Sequence, residues 1–486
     1  MQFATAQAQL AALAAREVSA VELLDIAIAR VESLDARLNA VAVRDFARAR
    51  DAALAADKAR ARGEHGALLG LPMTVKECFN IEGLPTTWGI PGTEGIPVQA
   101  DSIAVSRLKL AGAVVFGKTN VAQQLADWQS FNPVYGVTNN PWDVTRAPGG
   151  SSGGAAAAVA AGFVALEMGS DLNGSLRIPA HSCGVFAHRP TFGLVPTRGF
   201  APPGVPMLSV NGEVEFGVIG PMARCAADLA LALDVLAGPD DAQATAYRLQ
   251  IPNARHDRLK DFRILVLDEH PLLSTSVEVR TALQRYGENL RGVGCKVAHS
   301  SPLLPDLTNI AATFGQLLMA FFGADMPLVA YEGLRAQVAQ VAQMKASNPG
   351  LPPNAMTSLV MTHRDWIAAD RVRIGIAHQW RQLFREWDVV LCPVLPTTAI
   401  AHDHAPMEQR HIDIDGQVIP YQTQAMWSSV AAVGGLPATA MPIELSPNGL
   451  PIGMQIIGPY FEDRTTIQFA ELAEREFGGF VAPPGW

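Results

Sequence analysis

Two clusters of serine and glycine, separated by a short apolar stretch, constrain the fold of this chain more than any other feature. The clusters are residues 149–154 (Gly-Gly-Ser-Ser-Gly-Gly) and 173–177 (Asn-Gly-Ser-Leu-Arg). Between them, residues 155–163 predict a buried alanine-rich helix, and residues 164–169 predict a short strand. A helix of about ten residues rises about 15 Å, and a strand of about five residues returns over a similar length. The two clusters are therefore predicted to meet, on turns whose glycines permit backbone angles that a Cβ forbids.

Two hydroxyl groups held together by close-fitting turns suggest a nucleophile and a proton relay, which need a base. The chain has 11 histidines, but none of them lies in a Ser-His-Asp pattern. Lys76 instead ends an apolar run that favours a strand, residues 70–75. Burial there would disfavour the charged ammonium, so the neutral amine is a candidate base. A lysine after a strand is, taken alone, more often a surface residue with its charged end in water.

Several segments resemble the amidase-signature family of hydrolases, and they occur in the same order as in that family. They are the lysine segment (residues 70–92), a short motif (117–120), the signature (139–154), the second serine segment (169–195) and two C-terminal motifs (435–438 and 449–458). The matches span about residues 65–225 and 385–475. This resemblance implies amide hydrolysis by a Ser-Ser-Lys triad, without a metal ion or an organic cofactor.

Carried over position by position, the resemblance implies that Ser175 is the nucleophile and that it forms an acyl-enzyme. Ser151 would be the bridging serine, next to a cis peptide bond, and Lys76 would be the base. The oxyanion hole would consist of the backbone N–H groups of Leu172, Asn173, Gly174 and Ser175.

Family members often carry two glycines before the nucleophile, whereas this chain has Asn173 and Gly174. Asparagine tolerates a positive φ better than most residues, so the turn is expected to be kept. Asp171 and Arg177 flank the turn and are expected to pair and brace it, and Ser152 is a further supporting residue.

The alternation of short apolar strands with helices predicts an α/β fold. The resemblance implies a large, mixed and twisted central β-sheet with helices on both faces. We expect a single domain over residues 1–486 with four parts. They are an N-terminal helical segment (1–60), a signature core (66–235), a variable substrate-shaping region (240–385) and the C-terminal part of the core (386–486). The variable region is expected to be mostly helical from residue 310, with a loop at 347–353.

Composition and charge exclude several classes of function. A net charge of −9 without a basic stripe argues against nucleic-acid binding. The sequence contains no run of about 18 uncharged apolar residues, so no membrane span is predicted. The N-terminus has no basic signal-peptide region. Five cysteines, an odd number without a CxxC pair, are typical of reduced thiols in the cytoplasm. His402, Asp403 and His404 do not have metal-site spacing, and we assign them to a solvated turn.

Two other classes of function are less well supported by the sequence. Residues 112–119 satisfy the P-loop pattern, and residues 264–269 resemble a strand that ends in a magnesium-binding acid. A P-loop should follow a strand, however, whereas residues 113–116 are themselves predicted to be one. A binding protein without catalysis is disfavoured because all three triad residues are present.

The substrate is expected to be a small amide, and a homodimer is left open. Residues 426–434, before the Gly-Leu-Pro motif, are largely apolar and aromatic. They favour an apolar or aromatic acyl group in amides, anilides or carbamates, and the alternative is a glutamine-hydrolysing amidotransferase subunit. Trp128, Gln129 and Trp427 are candidates for lining the substrate cavity, with a core role as the alternative for the two tryptophans.

Overall fold

Among the described residues, eleven strands between residues 41 and 457 form one mixed β-sheet. The computed structural model describes residues 1–204, 215–347 and 355–486. The strands are β1 (Val41–Arg44), β2 (Pro72–Lys76), β3 (Val114–Thr119), β4 (Phe131–Asn132), β5 (Gly136–Val137), β6 (Leu166–Asp171), β7 (Phe186–Arg189), β8 (Val218–Ala223), β9 (Arg263–Val266), β10 (Lys296–Ala298), β11 (Val389–Pro393), β12 (His411–Ile414), β13 (Gln417–Pro420), β14 (Ala438–Leu445) and β15 (Pro451–Ile457).

The order of strands in the large sheet is β1-β3-β2-β6-β8-β7-β14-β15-β11-β9-β10. Strand β2 runs parallel to β3 and β6, and β9 runs parallel to β10 and β11. The other neighbouring pairs are antiparallel. Strands β4 and β5, and β12 and β13, form two separate two-stranded sheets. The sheet is therefore mixed, as predicted.

The described residues form 13 α-helices. They are α1 (Ala6–Ala14), α2 (Ala20–Leu38), α3 (Phe46–Ala61), α4 (Ile103–Leu110), α5 (Gly153–Ala160), α6 (Arg177–Cys183), α7 (Ala226–Leu236), α8 (Val277–Gly292), α9 (Leu307–Gly323), α10 (Leu328–Ser347), α11 (His363–Glu386), α12 (Met426–Ala432) and α13 (Asp463–Phe477). The predicted helical character of the region from residue 310 is confirmed by α9, α10 and α11. Most of the loop predicted at 347–353 lies outside the described residues.

Helices cover both faces of the sheet. Successive side chains of a strand point to opposite faces, so neighbouring residues of one strand pack in different apolar clusters. In β14, Met441 belongs to one apolar cluster, together with residues of α4, α7, α8 and α13. Its neighbour Ala440 belongs to a second cluster, with residues of α2, α3, α5 and α6. In β15, Ile456 packs in the first cluster, whereas Ile457 packs in a third, with residues of α9, α11 and α12. This arrangement confirms the predicted α/β class with a helix-flanked sheet.

The predicted helix and strand between the serine clusters are present, with shifted boundaries. Helix α5 covers most of the predicted helix, and its residues are completely buried. Strand β6 begins later than predicted and continues to Asp171. In the N-terminal segment, the sequence did not predict β1, which lies between α2 and α3 and pairs antiparallel with β3.

The P-loop alternative is wrong, because the residues concerned form a strand. Strand β3 lies between β1 and β2, so its backbone is used for pairing and cannot wrap around a phosphate. The Lys118 side chain is completely buried. Its Nζ donates to the carbonyl oxygen of Pro85 at 2.6 Å and lies 3.7 Å from a carboxylate oxygen of Glu77.

None of the helices in residues 1–204, 215–347 and 355–486 has the length and the apolar character that crossing a membrane would require.

Candidate active site

Lys76 lies at the carboxyl end of β2, and the parallel neighbour β6 brings Ser170 to the same edge of the sheet. The register pairs Thr74 with Glu167 and Val75 with Met168, so the two strands run side by side toward Lys76 and Ser170. Lys76 Nζ lies 2.7 Å from Ser151 Oγ and 2.9 Å from Ser170 Oγ, within hydrogen-bonding distance of both. The structure therefore brings the predicted base to the predicted bridging serine.

Burial makes the amine of Lys76 easier to deprotonate. The side chain has no exposed surface, and this burial lowers the pKa of Lys76 to about 8, against the opposing effect of Cys78, Asp171 and Glu167. Burial also raises the pKa of Glu167 to about 8, partly offset by a hydrogen bond from the Thr119 hydroxyl to its carboxyl group. Near neutral pH, a useful fraction of Lys76 is thus uncharged.

The two serine turns lie against each other. The peptide bond between Gly150 and Ser151 is cis, as the resemblance implied. The Ser152 N–H donates to the carbonyl oxygen of Ser175 at 3.2 Å, and the Ser152 hydroxyl donates to the carbonyl oxygen of Ser170 at 3.3 Å. Ser152 thus links the first serine turn to the end of β6 and to the second serine turn.

Ser175 is the most exposed of the three predicted triad residues. Its side chain is 8% exposed, whereas Ser151 and Lys76 have no exposed surface. The Ser175 hydroxyl forms no hydrogen bond with any of the described residues. The amine and the first serine are therefore within hydrogen-bonding distance of each other, and the second serine is the more accessible of the two serines.

The carboxylate of Asp171 holds the turn that carries Ser175. It pairs with Arg177 Nε at 3.0 Å and with Arg189 Nη1 at 3.2 Å, and all three side chains are completely buried. It also accepts hydrogen bonds from the backbone N–H groups of Gly174 at 2.8 Å and Leu176 at 3.2 Å. Burial alone would raise the pKa of Asp171, but the charges of Arg177 and Arg189 outweigh it and hold the pKa well below its usual range.

The predicted pairing of Asp171 with Arg177 is thus present, and Arg177 also reaches the C-terminal part of the chain. Its Nη1 donates to the carbonyl oxygen of Ser428 at 3.0 Å and to Gln455 Oε1 at 2.6 Å. Gln455 in turn donates to the carbonyl oxygen of Trp427 at 2.9 Å. The turn is therefore tied to α12 and β15 by buried polar contacts.

One of the four predicted oxyanion donors already has an acceptor in this structure. The Gly174 N–H already donates to Asp171 and points into that buried network. The N–H groups of Leu172, Asn173 and Ser175 donate to no acceptor among the residues that the structure describes. Three of the four predicted donors are thus available.

Asn173 does not have the positive φ that an asparagine could tolerate. The turn places the positive φ, 91°, at Gly174 instead, and Asn173 is not among the residues with a positive φ. A Cβ at position 174 would lie 2.6 Å from Ile178 Cδ1. Glycine is therefore required at 174, both for its backbone angle and for space.

The three predicted substrate-lining residues have different surroundings. Trp128 is half-buried beside the turn, and its Nε1–H donates to the carbonyl oxygen of Asn173 at 3.0 Å. Gln129 is buried, and its amide exchanges two hydrogen bonds with the backbone of Asp403. Trp427 has no exposed surface and packs in an apolar cluster, so the structure places it in the core and not at a cavity wall.

No group of three histidine, cysteine, aspartate or glutamate side chains in residues 1–204, 215–347 and 355–486 is arranged to hold a metal ion. His402 and His404 lie with their rings 5.6 Å apart, and His404 packs against Phe131 at 4.4 Å.

Comparison with known proteins identifies the family to which this arrangement belongs. A model of the amidase family matches residues 22–467. The chain belongs to the amidase family. This confirms the resemblance seen in the sequence, and it makes the chain a hydrolase of carbon–nitrogen bonds.

Relatives with known names are similar over the full length of this amidase. A glutamyl-tRNA(Gln) amidotransferase subunit from Anaeromyxobacter dehalogenans (strain 2CP-C) is 32% identical, over 98% of this chain and 96% of the relative. A crystal structure of an amidase is 26% identical, with a TM-score of 0.75 over 98% of this chain and 100% of that one. A structure from work on a vestigial protein complex and the evolutionary origins of an s-triazine catabolic enzyme is 29% identical, with a TM-score of 0.81 over 99% of this chain and 100% of the other.

Sequence reasoning missed two residues of the site. Ser170 is the second hydrogen-bond partner of Lys76, and its position at the end of a strand parallel to β2 was the available signal. Arg189 is the second cation on Asp171. It lies at the end of β7, and β7 comes near β6 only because β8 pairs with both strands.

We predict that Asp171→Asn strongly destabilises the amidase, because it leaves two buried guanidinium groups without their counter-charge. The free energy of unfolding should fall by about 3–5 kcal/mol. Urea denaturation of the purified variant measures this change. Asp241→Asn is the matched control, because Asp241 is 85% exposed and pairs with Arg198, which keeps Asp240 as a partner. If both variants unfold at the same urea concentration, the central role of Asp171 is refuted.

Proposed function

We propose that this amidase hydrolyses amides with an apolar or aromatic acyl group through an acyl-enzyme on Ser175. The contact of 2.7 Å between Lys76 Nζ and Ser151 Oγ is the observation that carries the proposal. It places an amine with a pKa of about 8 next to the Ser151 hydroxyl, on a turn whose Ser152 N–H donates to the backbone of the more exposed Ser175. This is the arrangement that a general base and its proton relay require.

The proposed reaction begins with a neutral Lys76. Its lone pair accepts the Ser151 proton while Ser151 takes the proton of Ser175, and Ser175 Oγ attacks the carbonyl carbon of the substrate. The developing oxyanion accepts hydrogen bonds from the free N–H groups of the turn. The proton then moves back through Ser151 to the leaving nitrogen, the C–N bond breaks, and water hydrolyses the acyl-enzyme by the same relay.

The available N–H groups are those of Leu172, Asn173 and Ser175. Each preorganised donor in such a site typically contributes about 3–4 kcal/mol to stabilising the transition state. In this proposal the Gly174 N–H has a different task, because its bond to Asp171 holds the turn in shape.

Half-buried apolar side chains near the turn support the apolar acyl group. Leu172 and Met426 are both half-buried and pack at the edge of one apolar cluster, and the half-buried Trp128 donates to the carbonyl oxygen of Asn173. Most of the stretch 426–434 supports an apolar pocket less than its sequence suggested, because residues 427–433 are buried in the core. Their apolar character reflects packing.

Two arginines around the turn already have carboxylate partners. Arg177 pairs with Asp171, and Arg410 pairs with Asp127 at 2.6 Å. A free amino acid such as glutamine carries both a positive and a negative charge, and each would need an unpaired partner in the site. These pairs therefore favour an uncharged substrate.

Glutamine hydrolysis within an amidotransferase complex is the second candidate function. The identity of 32% with a glutamyl-tRNA(Gln) amidotransferase subunit favours it. In that case, a partner chain would receive the ammonia, whereas the first proposal needs no partner besides a small amide. Anilides and carbamates with the same acyl part belong to the first proposal.

We also propose that the enzyme works in the cytoplasm. All five cysteines are free thiols, which fits a reducing compartment. A homodimer stays a prediction.

We predict that Ser175→Ala abolishes hydrolysis of a good amide substrate while the protein stays folded. Loss of a nucleophile typically lowers kcat by about 10⁴-fold or more. The hydroxyl has no hydrogen-bond partner among the described residues, so the melting temperature should not change. Steady-state kinetics and thermal unfolding are compared with those of Ser33→Ala, which removes an exposed hydroxyl on α2. Near-native turnover by Ser175→Ala would refute the proposed nucleophile.

We predict that Lys76→Arg and Lys76→Met are both inactive, because neither side chain can accept a proton at working pH. In the unchanged enzyme, kcat/KM should rise with pH through about 8, since the neutral fraction of Lys76 grows as the pH passes its pKa. Lys109→Met, on an exposed lysine, is the control. Substantial activity of the methionine variant, or a rate that falls over this pH range, contradicts the role.

We predict that kcat/KM is higher for phenylacetamide than for glutamine. An apolar pocket distinguishes related substrates by only about 1–3 kcal/mol per methylene group, so a broad range of hydrophobic amides should be hydrolysed. A panel of aliphatic amides, aryl amides, anilides, carbamates and glutamine gives the comparison. A clear preference for glutamine would support the second candidate function and leave the proposed triad intact.

A further inference from the structure

The peptide unit that joins Asn173 to Gly174 is held at both of its polar ends. Its carbonyl oxygen accepts a hydrogen bond from Trp128 Nε1 at 3.0 Å. Its N–H donates to Asp171 Oδ1 at 2.8 Å. The two holding groups come from separate parts of the chain, a loop before the first serine cluster and the end of β6.

A peptide unit is planar, and in the trans form its carbonyl and its N–H point in opposite directions. Fixing both ends therefore stops the unit from rotating about the line between its two Cα atoms. Fixed ends also hold ψ of Asn173 and φ of Gly174, and these two angles set how the flanking peptide units, which carry the N–H groups of Asn173 and Ser175, are oriented to each other. The hydrogen bond from Trp128 is thus one of the two bonds that restrain the peptide unit between the proposed oxyanion donors.

Trp128 is itself held by a cluster from the C-terminal part of the chain. The ring of Tyr421 packs against the indole at 5.7 Å. The Tyr421 hydroxyl donates to Asp127 Oδ1 at 2.7 Å, and Arg410 Nη1 donates to Asp127 Oδ2 at 2.6 Å. Tyr421 and Arg410 are almost completely buried. The position of the indole is therefore set by residues more than 270 positions away in the sequence.

We propose that Trp128 is a positioning residue, whose indole N–H holds the Asn173–Gly174 peptide in the orientation that aims the neighbouring N–H groups at the substrate carbonyl. This inference rests on the proposed hydrolysis at Ser175. It gives Trp128 a role that differs from substrate contact, because the group that acts is the N–H on the backbone carbonyl and not the apolar face of the ring. Asp127, Tyr421 and Arg410 act on the turn through the indole.

Trp128→Phe tests this role, because phenylalanine keeps an aromatic ring and removes the N–H. We expect kcat for phenylacetamide to fall by about tenfold to a hundredfold, as for other small misplacements of catalytic groups. KM should stay close to that of the unchanged enzyme. Trp142→Phe is the matched control, because Trp142 Nε1 donates to the carbonyl oxygen of Cys183 at 2.9 Å, at the far end of α6. It loses the same kind of bond and should keep its kcat.

The outcomes separate the two roles of Trp128. A rise in KM with unchanged kcat would show substrate contact and overturn the positioning role, as would a Trp128→Phe variant with the kcat of the control. Thermal unfolding of both variants checks that a loss of kcat is not a loss of fold.

Tyr421→Phe provides a second test that does not alter the indole. It keeps the ring against Trp128 and removes the hydroxyl that donates to Asp127. We expect a smaller fall in kcat, again at unchanged KM, and a kcat equal to that of the unchanged enzyme would count against the proposal. Ser175→Ala distinguishes this inference from the function on which it rests. If that variant is inactive and both aromatic variants are fully active, only the positioning role fails.

Discussion

The buried charge of Asp171 is the interaction on which the rest of the site depends. A carboxylate without exposed surface is stable only when it is paired and hydrogen-bonded, and here two arginines and several backbone N–H groups supply those contacts. Arg177 extends the network to α12 and β15, and Arg189 donates to the carbonyl oxygen of Phe216 at 3.0 Å. One carboxylate therefore sets the shape of the serine turn and links it to segments that are distant in the sequence.

Much of the fold and of the candidate site could be predicted from the sequence, because the relevant signals are local. The glycines around Ser151 and before Ser175 mark turns that few other residues could form, and the alanines between them mark a buried helix. Lys76 at the end of an apolar run indicated a desolvated amine. These features depend on neighbours within a few residues, so the chain itself reveals them.

The remaining features depend on pairing between distant segments, which periodicity does not show. Arg189 approaches Asp171 only through the order of strands in the sheet, and Tyr421 approaches Trp128 from beyond residue 400. The apolar residues of α12 have the same pattern whether they line a cavity or fill a core, and the structure places Trp427 in the core. The bond from Gly174 to Asp171 reflects the direction of one N–H group, which composition cannot indicate.

The burial of Lys76 has a consequence for the movement of protons during proposed turnover. Neither Lys76 nor Ser151 has exposed surface, and Ser170 is only 3% exposed. Bulk water therefore has no direct contact with the amine, and in the proposed reaction a proton reaches or leaves it through Ser151 and Ser175. The hydrogen taken from Ser175 would then be the same atom that ends on the departing nitrogen. In such a site, the enzyme conserves one proton through bond cleavage and depends on the solvent only for the water that releases the acyl group.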